Sequence, residues 1–119
     1  MAKSNPRRAN GSRRNALRRW LAQFGYPCAL CGRPIDYSLP ARHPMSYEVD
    51  EVVPVSRFWD TGWNRQQGCP CGGYPSAEAA ALAKENVQAA HRICNQRKGN
   101  GLKASGGRAA AIARTREWL

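Results

Sequence analysis

Acidic residues and histidines are scarce in this chain. Against 19 Lys and Arg stand 8 Asp and Glu, and 119 residues include two histidines. A formal net charge of +11 makes a polyanion the expected partner, because each neutralised phosphate releases condensed counterions. No apolar run approaches the length of a transmembrane helix, and Met1-Ala-Lys-Ser-Asn-Pro-Arg7 carries neither a secretory nor a myristoylation pattern. The expectation is a cytoplasmic protein with no membrane partner. Five cysteines, an odd number without a secretory signal, speak against a disulfide framework and for thiol ligands in a reducing compartment. No internal repeat is apparent, and the length suits one domain whose core is small.

What is present is spacing. Cys28-Ala-Leu-Cys31 and His91-Arg-Ile-Cys94 each offer two soft or borderline ligands, one as a knuckle and the other as an i, i+3 pair expected on a helix. Together they make a tetrahedral zinc site that offsets the small core. Cys69 and Cys71 remain, in a tight Cys-Pro-Cys. They are free loop thiols, an accessory metal site, or a rival all-cysteine site with Cys28 and Cys31. Between the pairs, Tyr47 to Ser56 reads as a hairpin: two short strands flanking the adjacent carboxylates Asp50 and Glu51. Carboxylates that approach phosphates are unfavourable unless a metal neutralises them, so the pair points to metal-assisted chemistry.

Elsewhere, residues 1–12 read as a flexible basic arm, and residues 13–119 as the single folded domain. Leu17, Trp20, Leu21 and Phe24 recur at helical spacing, leaving an arginine face to solvent or phosphates, and Gly25-Tyr-Pro27 stops that helix. Residues 34–44 are a loop, 57–76 an irregular connection, and 77–84 a short alanine-rich helix. Residues 87–98 form the last motif helix, ended by Gly99-Asn-Gly101, and residues 108–119 a further helix packing on the first. Trp59 and Trp63 are candidates for stacking on bases or for loop packing.

Cys28/Cys31, then Asp50-Glu51-Val-Val-Pro54, then Asn86, then His91-Arg-Ile-Cys94-Asn95, resemble in order and spacing the HNH endonuclease family, of the kind that stands alone in phages and prophages. The resemblance covers residues 26–100 and implies an α+β fold, a zinc-stapled ββα-metal (His-Me finger) domain with flanking helices. It departs from the family's pattern where Glu51 replaces the first histidine, His91 a zinc cysteine and Asn95 the final histidine. The implied activity is divalent-metal-dependent hydrolysis of DNA phosphodiesters. Asp50 and Asn95 would hold Mg²⁺ or Mn²⁺, Glu51 would be the general base, and Asn86 would hold the hairpin loop and orient that base. Two variations stay open: Glu51 helps hold a second cation, or His43 folds back as the base. Arg57, Arg97 and Lys98 flank the site as candidate clamps on substrate phosphates. The implied partners are double-stranded DNA and a phage packaging protein such as a terminase, in a bacterial host cell. The rival expectation is a non-catalytic, zinc-stapled DNA-binding module, or a terminase accessory, on the same scaffold.

Overall fold

The computed structural model describes residues 11–105, a small mixed α+β arrangement with two small antiparallel sheets. The order is α1 (Gly11–Ala22), β1 (Tyr47–Glu51), β2 (Thr61–Asn64), β3 (Cys69–Gly72), α2 (Ala77–Leu82), β4 (Val87–His91) and α3 (Arg92–Ser105). Strands β1 and β4 form one sheet, β2 and β3 the other. Two compact units divide the described chain: 11–24 with 49–88, and 25–48 with 89–105. Most of the expected basic arm and all of the expected C-terminal helix lie outside the described residues.

In the first unit, α1 buries Leu17 and Leu21, one turn apart on the same face. Trp20 packs edge-on to Phe24, rings 5.1 Å apart, while Phe24 is half exposed rather than buried. The expected arginine face divides. Arg13 and Arg19 are exposed, but Arg14 turns inward and donates to the Ala81 carbonyl at 2.7 Å.

Residues 57–76 are not an irregular connection, because β2 and β3 form an antiparallel hairpin there with Trp63 opposite Pro70 and Gly62 opposite Cys71. Its strands hold Gly62, Pro70 and Gly72, which weaken any strand signal in the sequence. Proline is tolerated because both strands of a two-stranded sheet are edges. At Gly72 the backbone has φ +106°, and a Cβ would lie 2.3 Å from the Asp60 carbonyl oxygen, so only glycine fits. Asn64, fully buried, ties the hairpin down by donating to the Glu85 and Val87 carbonyls at 3.0 and 2.7 Å. Helix α2 starts at Ser76, whose Oγ accepts from the Ala79 N–H at 3.1 Å.

Asp50 and Glu51 do not sit at a hairpin tip. They close a single strand, β1, whose partner is the remote β4. After them the chain turns away at Val52–Pro54. The buried Asn86 side chain takes both main-chain groups of Val53: its Oδ1 accepts from Val53 N–H at 2.8 Å and its Nδ2 donates to Val53 C=O at 3.0 Å. Nδ2 also donates to the Ala80 carbonyl at 3.0 Å. With Pro54 offering no N–H, the strand cannot continue. Asn86→Ala should strand three buried main-chain groups and cost about 3 kcal/mol, read as a lowered urea midpoint.

The last motif is likewise a strand followed by a helix, not one helix. Val87-Gln-Ala-Ala-His91 pairs as β4 despite its two alanines, since tertiary pairing overrides a helix propensity worth only tenths of a kcal/mol per residue. Helix α3 begins at Arg92, where two otherwise unmet N–H groups find loop acceptors: Arg92 donates to Ser46 C=O and Ile93 to Pro44 C=O, both at 2.8 Å. It then runs through Gly99-Asn-Gly101 to Ser105.

Candidate metal centre and acidic strand

The metal centre lies in the unit made of residues 25–48 and 89–105, and each ligand owes its place to local backbone chemistry. Cys28 closes a tight knuckle: its N–H donates to Arg33 C=O and its C=O accepts from Gly32 N–H, both at 2.8 Å. Gly32 takes the left-handed φ of +80° that the turn requires. Ala29 N–H reaches Ala89 C=O at 2.8 Å, which hangs the knuckle on β4. His91 ends β4, and Cys94 lies in the first turn of α3. The two chain segments thus meet at four side chains.

The ligand atoms of Cys28, Cys31, His91 and Cys94 all lie within 4.8 Å of one another. A tetrahedral zinc with ordinary bond lengths has N···S edges of about 3.6 Å and S···S edges of about 3.8 Å. His91 Nδ1 stands 3.3 Å from Cys31 Sγ and 3.9 Å from Cys94 Sγ, which brackets that edge. Its other ring nitrogen, Nε2, lies 3.0 Å from the Pro34 carbonyl. Protonated there, it donates to that oxygen and leaves the Nδ1 lone pair for a metal, the usual outer partner of a ligating histidine. The backbone N–H groups of Leu30 and His91 point at Cys28 Sγ from 3.4 and 3.3 Å, donors suited to a thiolate. Burial, then the neighbouring Cys28 and Cys31, push the Cys94 thiol up to about 12. Negative charge gathered on sulfurs this close together is unfavourable by itself, and a divalent ion reverses that balance. Three sulfurs and one imidazole nitrogen suit zinc, so the residues present fit a structural ion.

Cys69 and Cys71 are not part of this group. Both belong to β3, with Cys71 buried, and the group of ligand atoms gathered among the described residues does not include them.

Asp50 and Glu51, at the end of β1, belong to the unit of residues 11–24 and 49–88. Asp50 and Glu51 are both 6% exposed. Asp50 Oδ2 accepts from Gln88 Nε2 at 2.8 Å across to β4. Glu51 Oε2 lies 3.2 Å from Arg14 Nη2, the two side chains 7% and 14% exposed. Asn86 holds the loop after β1 through both main-chain groups of Val53.

Asn95 and His43 lie in the other unit. Asn95 Nδ2 donates to Glu48 Oε1 at 3.0 Å, and Glu48 Oε2 is 3.6 Å from Arg92 Nε. The His43 ring is exposed, with Nδ1 accepting from Met45 N–H at 3.0 Å. Among the proposed phosphate clamps, Arg57 pairs with Asp60 at 2.8 Å, a largely solvated contact of small energetic worth. Arg97 is exposed and Lys98 partly so, both on α3. Sequence reasoning missed Arg14, Gln88 and Glu48. Arg14 carried no signal beyond its place in a run of arginines, and Gln88 and Glu48 acquire meaning only from strand pairing. No helix among the described residues is long and apolar enough to cross a membrane. No family model matches the chain, and neither a curated protein nor a solved structure is significantly similar to it.

Proposed function

We propose that this protein is a divalent-metal-dependent endonuclease of the HNH type that hydrolyses DNA phosphodiesters, its fold held by one structural zinc. The observation that carries the reading is the burial of two adjacent carboxylates at the end of one strand, in a chain of net charge +11. Burying charge is costly unless partners hold it. Here Gln88 orients one carboxylate, Arg14 holds the other, and Asn86 fixes the loop that follows. That is a supported arrangement of reactive groups rather than a solvated turn.

Asp50 offers an oxygen donor of the kind hard cations take, and Mg²⁺ is commonly held by one or two carboxylates together with water and substrate phosphate. When bound there, a divalent cation would neutralise charge on the scissile phosphate and on the leaving oxygen. Gln88 keeps Oδ2 of Asp50 in a fixed direction. Glu51, paired with Arg14, accepts the proton of the attacking water, and Arg14 holds the carboxylate in place while it does so. Asn86 keeps the turn at Val52–Val53 from shifting the strand end. The exposed Arg13, Arg19 and Arg97 supply electrostatic attraction for the DNA backbone.

A second reading is favoured by one observation. The Arg14–Glu51 pair neutralises the carboxylate that stands in the base position, as a non-catalytic, zinc-stapled DNA-binding module would need. Incubation of supercoiled plasmid with the full chain, with Mg²⁺, with Mn²⁺ or with no added divalent ion, separates the two. Nicking that requires a divalent ion is expected, together with duplex binding that weakens steeply as salt rises. Tight, salt-sensitive binding with no cleavage in either metal would establish the second reading instead.

A further inference from the structure

The hairpin of β2 and β3 presents a face that nothing in the proposed hydrolytic chemistry uses. Along β2, Thr61 and Trp63 are exposed while Gly62 is half-buried and Asn64 fully buried, the period of two expected of a strand with one outer face, and Arg65, the first residue of the turn that follows, is exposed as well. Trp63 is 57% exposed, and its cross-strand partner Pro70 is exposed as well. In the same unit Trp59 is 59% exposed, its ring braced edge-on against Phe58 at 5.0 Å. The hairpin that carries Trp63 is held still from behind. Asn64 donates to the Glu85 and Val87 carbonyls, Gln67 Nε2 to the Lys84 and Val87 carbonyls, and Gly72 lies flat against the Asp60 backbone.

We propose that this outer face is a stacking platform for unpaired bases of a single-stranded nucleic acid, with Trp63 as the principal ring and Arg65 beside it as the backbone cation. The composition of the face selects this occupant. A protein interface core is a contiguous apolar patch depleted of charge. Here one exposed indole on β2 faces Pro70 across the strands, with Thr61 before it and Arg65 in the turn after it, and no carboxylate occurs among these exposed residues. An exposed aromatic ring on an anchored hairpin, followed two residues later by an exposed arginine, on a chain of net charge +11, is what base stacking with backbone attraction requires. The proposal goes beyond the nuclease reading and stands without it, since binding needs no hydrolysis.

Fluorescence anisotropy with labelled oligodeoxythymidylate, oligouridylate and a mixed-sequence duplex, in buffer with no added Mg²⁺ or Mn²⁺, tests it. The proteins compared are the wild-type chain, Trp63→Ala, Trp63→Leu and Trp63→Phe. Trp63 is exposed, so all three variants should fold, which circular dichroism checks. Loss of one base–aromatic stack should weaken single-strand binding at least about fivefold in the Ala and Leu variants, while Phe retains most of it and duplex affinity barely moves. Binding of either single strand in this pattern supports the platform, and the two oligomers tell DNA from RNA. Wild-type single-strand affinity in Trp63→Ala would overturn it. So would equal losses on single strand and duplex, or a change confined to self-association in sedimentation, which would make the face a protein interface. Plasmid cleavage by Trp63→Ala is a separate readout, so failure of the nuclease reading leaves this test intact.

Discussion

Cys94→Ala protein should emerge from purification without zinc and largely unfolded, and wild-type protein treated with a strong zinc chelator should follow it. Structural zinc contributes on the order of 10 kcal/mol to folding in small domains, as much as the whole net stability of such a domain, roughly 5–15 kcal/mol. The chain is poorly placed to fold without that contribution. Among the described residues the buried side chains are mostly small, with Ala80, Ala81, Ala89 and Ala90 among them, and the amides Asn64 and Asn86 are buried as well. The measurements are zinc content by atomic emission and thermal melting by circular dichroism. Wild-type protein should carry one zinc per chain, Cys28→Ala should behave like Cys94→Ala, and Cys69→Ala should keep both zinc and melting point. Zinc lost from Cys69→Ala and retained by Cys94→Ala would refute the ligand set.

Arg14→Met should destabilise the protein by about 3 kcal/mol or more, because it strands the Glu51 carboxylate in a site that is 7% exposed. The same change also removes the donor to the Ala81 carbonyl. Adding Glu51→Gln to Arg14→Met should recover much of the loss, since a neutral amide tolerates burial without a guanidinium partner. A double-mutant cycle from urea unfolding measures the coupling. Glu51→Gln alone should fold, keep duplex binding and lose Mg²⁺-dependent nicking. That outcome separates chemistry from scaffolding: a purely structural Glu51 would move stability and leave nicking intact. Coupling energy near zero in the cycle would show that the 3.2 Å pair does not hold the strand end.

How far the sequence carried depended on whether a signal was local. The knuckle Cys28–Cys31 and the pair His91/Cys94 were legible as one four-ligand site, because ligand identity and spacing are sequence properties. Helix α1 was legible from Leu17 and Leu21, and α2 from its alanines, though not its Ser76 cap. The β2–β3 hairpin was not. Its strands are built on Gly62, Pro70 and Gly72, and what permits them is the absence of a Cβ next to the Asp60 backbone, a close approach that no residue pattern announces. Residues 87–91 misled for a related reason, since alanine favours helix until a strand partner 40 residues away claims its backbone.

The sequence by itself determined the soft-ligand set, the strongly basic charge and the adjacency of Asp50 with Glu51, since each is a matter of which residues exist and how far apart they lie. Only the tertiary structure decided that His91 reaches the centre from a strand end, with Pro34 taking its second ring nitrogen, and that Arg14, far away in sequence, is the partner of Glu51. It also decided that the segment Asn86 grips, through both main-chain groups of Val53, is the turn after β1 and not a hairpin tip. Ligand chemistry resides in side-chain types and short spacings, whereas partnership between buried polar groups is settled by which distant backbones come together and leave no water between them.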